Sequence, residues 1–109
     1  MPQLLLTDRV SAFLCEHYKL SDDKVTDMLP TFLSVLQNHF RDLERVLGQK
    51  DVRAIGKAGH TLKGALVSLG LDDFAEIALS IETAGKEGRR EFDFQGLVAQ
   101  LKENLAEIL

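Results

Sequence analysis

The chain has 109 residues, 45% of them hydrophobic and 28% charged, the size and balance of a single globular domain with its own core. A formal charge of -4 argues against a nucleic-acid binder, which needs a basic surface to displace counterions. With one cysteine, Cys15, no internal disulfide can form, and a cytoplasmic setting is expected. The leucines within Met1 to Leu6 lack a basic flank and a long apolar stretch, so neither a signal peptide nor a membrane span is expected.

No alternating strand pattern competes with the helical period, and the chain reads as all-α. A short first helix is expected from Thr7 as its N-cap, with Val10, Phe13, Leu14 and Tyr18 on its apolar face. Ser21 marks the cap of a second helix, followed by Asp22 and Asp23 at the positive end of the dipole, with Leu20 and Val25 as a staple. Val25, Leu29, Phe32, Leu36, Phe40, Leu43 and Leu47 lay an apolar stripe down this helix, which Gly48 is expected to end. Pro30 interrupts the stripe, either kinking the helix or starting a new one.

Asp51 caps a third helix whose inward seam is Val52, Ile55, Gly59, Leu62, Leu66 and Leu69, with Gly70 as a left-handed stop. Asp73 and Glu76 have capping-box spacing and open a fourth helix with the seam Phe74, Ala78, Ile81 and Gly85. Gly85 and Gly88 are expected to loosen the chain before Asp93 caps a last helix carrying Leu97, Leu101, Leu105 and Ile108. Short connections between amphipathic helices imply an antiparallel up-down four-helix bundle with a short additional N-terminal helix, one domain over residues 1–109.

On the third helix, Arg53, Gly56, Lys57, His60, Lys63, Gly64 and Val67 fall on one face, roughly opposite the seam. Glycines 56, 59 and 64 each weaken the helix by up to about 1 kcal/mol relative to alanine. Gly59, on the seam, reads as a close helix contact. Gly64, on the outer face, reads as surface kept bare so that another protein can approach the imidazole. A neutral histidine ring offers one nitrogen lone pair for attack on phosphorus, so His60 is read as a nucleophile that needs no activating base. Lys63, and Lys57 in support, supply positive charge for the phosphoryl oxygens. Losing either lysine is expected to weaken transfer, and losing His60 to end it. Arg53, Gly56, Gly64 and Val67 are the candidate docking surface. His17 and His39 are read as ordinary surface or boundary residues, Arg89 and Arg90 as a solvated pair, and no metal site is expected.

The run Ala58-Gly59-His60-Thr61-Leu62-Lys63-Gly64, followed by Leu69-Gly70, resembles the H-x-x-K-G signature of histidine-containing phosphotransfer (HPt) domains. Asp51 ahead of the helix and a following helix ending near Ile81-Glu82 fit the same pattern. Gly59 stands where the family commonly has alanine and is expected to loosen the helix. The resemblance implies a shuttle in a multistep two-component relay: His60 accepts phosphoryl at Nε2 from a receiver-domain aspartate and passes it to another receiver. It implies response-regulator receiver domains and a sensor or hybrid histidine kinase as partners. It also implies no cofactor of its own, with Mg2+ in the receiver, and the chain is expected to be a monomer. No Gly-rich loop or P-loop is present to hold nucleotide phosphates, so an autonomous ATP-dependent kinase is not expected. Two alternatives stay open: an unphosphorylated module that binds and inhibits a receiver or kinase, and the phosphotransfer domain of a chemotaxis-type kinase cut from a longer chain. Met1 and the ending at Leu109 lead us to expect a complete protein.

Overall fold

Four of the five described helices begin where a side chain accepts from a backbone N–H of the first turn, and the chain leaves its helices where it turns left-handed or loses its apolar period. The computed structural model describes residues 5–109; residues 1–4, which carry part of the N-terminal apolar run, lie outside them. Among the described residues there are five helices and no strand: α1 (Leu6–Tyr18), α2 (Asp22–Gln49), α3 (Val52–Ser68), α4 (Asp72–Lys86) and α5 (Phe94–Asn104).

Three of the expected caps are in place. The side chains of Ser21, Asp51 and Asp93 accept from the backbone N–H of Lys24, Ala54 and Gly96. Two are not, because a distant partner takes the side chain. Thr7 sits inside α1, and its hydroxyl and N–H, with the N–H of Leu6, all donate to the Glu107 carboxylate. Asp73 lies one residue inside α4 and pairs with Arg9 of α1, while the N-cap position, Leu71, offers no side-chain acceptor. Gly48 does not end α2: the helix runs to Gln49, and Lys50 takes the left-handed conformation at φ 59°. Gly70, at φ 76°, does stop α3. Pro30 lies within one continuous helix; at an exposed position, the carbonyl left without an N–H donor can turn to water.

At 1.5 Å per residue the 28 residues of α2 span about 42 Å, close to the longest dimension of the molecule, 45 Å. Around this rod, α3 packs on α2 and α4, α5 on α4 and α2, and α1 on α2. Leu36, Leu43, Leu62, Leu66, Leu71, Ile81 and Leu101 are fully buried at the centre, with Val10 and Leu14 of α1 in the same cluster. No described helix is long and apolar enough to cross a membrane.

The closest approach is between α3 and α4, and glycine makes it. Gly56 and Gly85 face each other: a Cβ on Gly56 would lie 3.0 Å from the Gly85 backbone, and a Cβ on Gly85 would run into the Gly56 backbone. One turn on, a Cβ on Gly59 would meet Ile81 Cγ2 at 3.0 Å and the Glu82 nitrogen at 3.1 Å. Gly59 is therefore a packing position in an unbroken helix, not a point of looseness, and Gly85 likewise sits inside α4.

Candidate functional site

His60 lies on the edge of α3 that flanks α4, one residue past the Gly59 contact, with its side chain 61% exposed. The backbones approach closely here, so a carboxylate on α4 can reach the ring. Nδ1 of His60 stands 2.8 Å from Oε2 of Glu82. Glu82 is buried, its side chain only 6% exposed, and buried carboxylates persist as anions only when cations compensate them. Two do: Lys86, one turn along α4, donates to Oε2 at 2.6 Å, and Lys63 of α3 stands 2.8 Å from Oε1. The Lys63 ammonium forms an ion pair off the line of a good hydrogen bond to that oxygen. Lys63, then Lys86, then His60 pull the Glu82 pKa down to about 2, against the opposing push of burial.

This fixes the tautomer. An ionised carboxylate only accepts hydrogen bonds, so Nδ1 carries the proton and donates. In the neutral ring the lone pair is then on Nε2, on the solvent side of the imidazole. Glu82 therefore meets Nδ1 and leaves Nε2 untouched, so it is not placed as a base toward the outer nitrogen. It orients the ring and selects the nitrogen.

Of the residues read from the sequence, the fold brings His60 and Lys63 together. Gly64 and Val67 are exposed further along α3, and a Cβ on Gly64 would meet nothing within 4 Å. Lys57 is exposed on the α2 side, beside a cleft with His39, Asp42 and Arg45, away from Glu82. Arg53 lies two turns before His60, on a cleft shared with Lys50 and Arg90. Gly56 is not docking surface: it is buried against Gly85, because a helix without a side chain at that point covers its neighbour's backbone. Among the described residues no cluster of three or more metal-ligating side chains forms. His39 is half-buried but not remote, since it shares a cleft of about 440 Å³ with Phe32, Val35, His60 and Gly64. His17 stacks on Phe13 and touches Tyr18, and Arg89 pairs with Glu87.

Glu82 and Lys86 are the site residues that sequence reasoning missed. The signal was there: Glu82 stands four residues after Ala78 and one after Ile81, so a charge falls within an apolar seam, and Lys86 follows at i+4. In comparison with known proteins, the family model described as Hpt domain matches residues 27–109. No curated protein and no solved structure matches the chain. The matched span starts within the first turns of α2 and takes in His60, Lys63, Glu82 and Lys86.

Proposed function

The chain belongs to the Hpt domain family, the histidine phosphotransfer domains of two-component signalling, and from that premise we propose that it is a phosphocarrier whose working atom is Nε2 of His60. The observation that carries this reading is the hydrogen bond from Nδ1 of a solvent-facing ring to a carboxylate held ionised, which leaves the outer nitrogen as the nucleophile. The donor is an aspartyl phosphate on a receiver domain. The Nε2 lone pair forms the N–P bond, and the P–O bond to the aspartate breaks with its electrons returning to the carboxylate. No proton moves, so the imidazole becomes a cation with its Nδ1–H still on Glu82. The Glu82 charge is therefore placed where positive charge develops, the arrangement that stabilises a transition state more than a ground state. Lys63 holds that carboxylate in register and adds positive potential for the phosphoryl oxygens. The reverse sequence delivers the group to a second receiver.

The remaining features belong to the same proposal. Residues 1–109 act as one domain, an antiparallel bundle of α2 to α5 with α1 laid alongside, working as a cytoplasmic monomer. A sensor or hybrid histidine kinase stands upstream, the divalent cation sits in the receiver's own site, and the exposed Gly64, Val67 and Val35 receive the receiver's surface. Incubating the parent and His60→Gln with a phosphorylated receiver tests the reading. Acid-labile, base-stable label is expected on the parent and none on the variant, with equal helicity by circular dichroism because the ring is exposed. Equal labelling of the two would put the site elsewhere, and no labelling of either would favour an inhibitory module.

A further inference from the structure

We propose that Lys86, not Lys63, is the side chain that binds the transferred phosphoryl group directly, releasing Glu82 to do so. The inference rests on the phosphocarrier reading above and adds a second state of the same site.

Two lysines contact one carboxylate, but they are not alike. Lys63 is 28% exposed and takes Oε1 for itself, whereas Lys86 is 61% exposed and shares Oε2 with the Nδ1–H of His60. Lys86 is also the last residue of α4, followed by the left-handed Gly88. Its backbone is anchored, with its nitrogen 3.0 Å from where a Gly56 Cβ would stand. Its four-carbon stem reaches beyond that contact, and its side chain stays 61% exposed beside the His60–Glu82 pair.

Phosphorylation changes the charges around that stem. Before transfer the neutral ring, Glu82, Lys63 and Lys86 sum to +1, and Oε2 accepts from both Nδ1–H and Lys86. After attack the ring is a cation bearing a dianionic group on Nε2. The Nδ1–H bond to Oε2 becomes charge-assisted and strengthens. The Lys86 ammonium is left beside a positive ring that now carries two new negative charges, so it exchanges its carboxylate partner for phosphoryl oxygen. Lys63, less exposed and with Oε1 to itself, has no such reason to leave. One buried carboxylate thus stores the phosphoryl-binding cation while the carrier is empty.

The test needs no partner protein. Potassium phosphoramidate, a small phosphoramide donor, phosphorylates the parent, Lys86→Ala, Lys86→Arg and Lys63→Ala, and the 31P resonance of phosphorylated His60 is followed against pH. The titration reports the phosphoryl group together with the charges around it, namely the imidazolium, Glu82, Lys63 and Lys86, with His39 and Lys57 on the α2 side. A cation on the phosphoryl oxygens holds the midpoint low, so Lys86→Ala is expected to raise it by roughly 0.5 unit, the scale of an exposed ion pair. Lys86→Arg is expected to restore it and Lys63→Ala to raise it by clearly less than Lys86→Ala does. A midpoint that rises as much with Lys63→Ala as with Lys86→Ala, or that Lys86→Ala leaves in place, overturns the proposal. Phosphorylation of His60 by phosphoramidate but not by a phosphorylated receiver would sink the relay reading while leaving the Lys86 result legible. Absence of label from both donors would sink both.

Discussion

Helix α3 carries glycine on two edges, and the two edges do opposite things. Facing α4, Gly56 and Gly59 are buried, and backbone atoms of the neighbouring helix occupy the space a side chain would take. Facing the cleft shared with α2, Gly64 has open space around it. The loss of helix propensity is about the same at each position. On the first edge it is offset by close packing that brings Glu82 within reach of His60; on the second nothing among the described residues offsets it, which is what supports the proposal of a docking surface there. Residue type alone does not tell these edges apart. What lies across from them does.

Three substitutions break or sharpen that contrast. The largest effect is expected from Gly85→Ala, whose Cβ would run into the Gly56 backbone and force α3 and α4 apart. Destabilisation of about 3 kcal/mol is expected, at the upper end of overpacking, with a melting temperature lower by roughly 10 to 20 °C in calorimetry. Next comes Glu82→Gln, which keeps the shape and an acceptor for Nδ1–H but removes the charge. Phosphoryl acceptance is expected to slow by about fivefold, the difference between a charge-assisted and a neutral hydrogen bond. The same variant has a pH signature. Glu82 titrates at about 2 in the fold against an ordinary 4.5, so its contribution is fully present above about pH 4.5 and is lost as pH falls towards 2. Thermal melts between those limits are expected to fall less steeply for Glu82→Gln than for the parent. The smallest effect is expected from Gly64→Ala: stability rises by about 0.5 to 1 kcal/mol, and transfer to a receiver slows while labelling by phosphoramidate does not. A melt that drops for this variant would show that Gly64, too, is a packing glycine.

The fold was legible wherever local rules and tertiary structure agree. Ser21, Asp51 and Asp93 cap as their side chains suggest, and the apolar stripes of α2 and α5 lead to buried Leu36, Phe40, Leu43 and Leu101, continuing past the end of α5 to buried Leu105. Thr7 and Asp73 have capping chemistry as good as these, yet each is bound by a residue far away in sequence, Glu107 and Arg9, which no short window displays. The site was half legible. His60, Lys63 and Gly64 stand in one motif on one helix. Glu82 and Lys86 come from the next helix and matter only because Gly56, Gly59 and Gly85 remove the space that would separate them from His60. Gly56 was misplaced for a related reason: helical angle alone puts it near His60, and only the absence of a side chain at Gly85 shows that α4 covers it.

The Glu107 carboxylate, which holds the first backbone amides of α1 from 100 residues away, ties the opening of the described chain to its close. Such a clasp contributes nothing until the long loop between its halves has been drawn shut, a cost that is entropic and must be met by the other helices first. The first helix in the sequence is in this respect the dependent one: its anchorage is on loan from the last turn of the molecule, and whatever tugs at that turn loosens both.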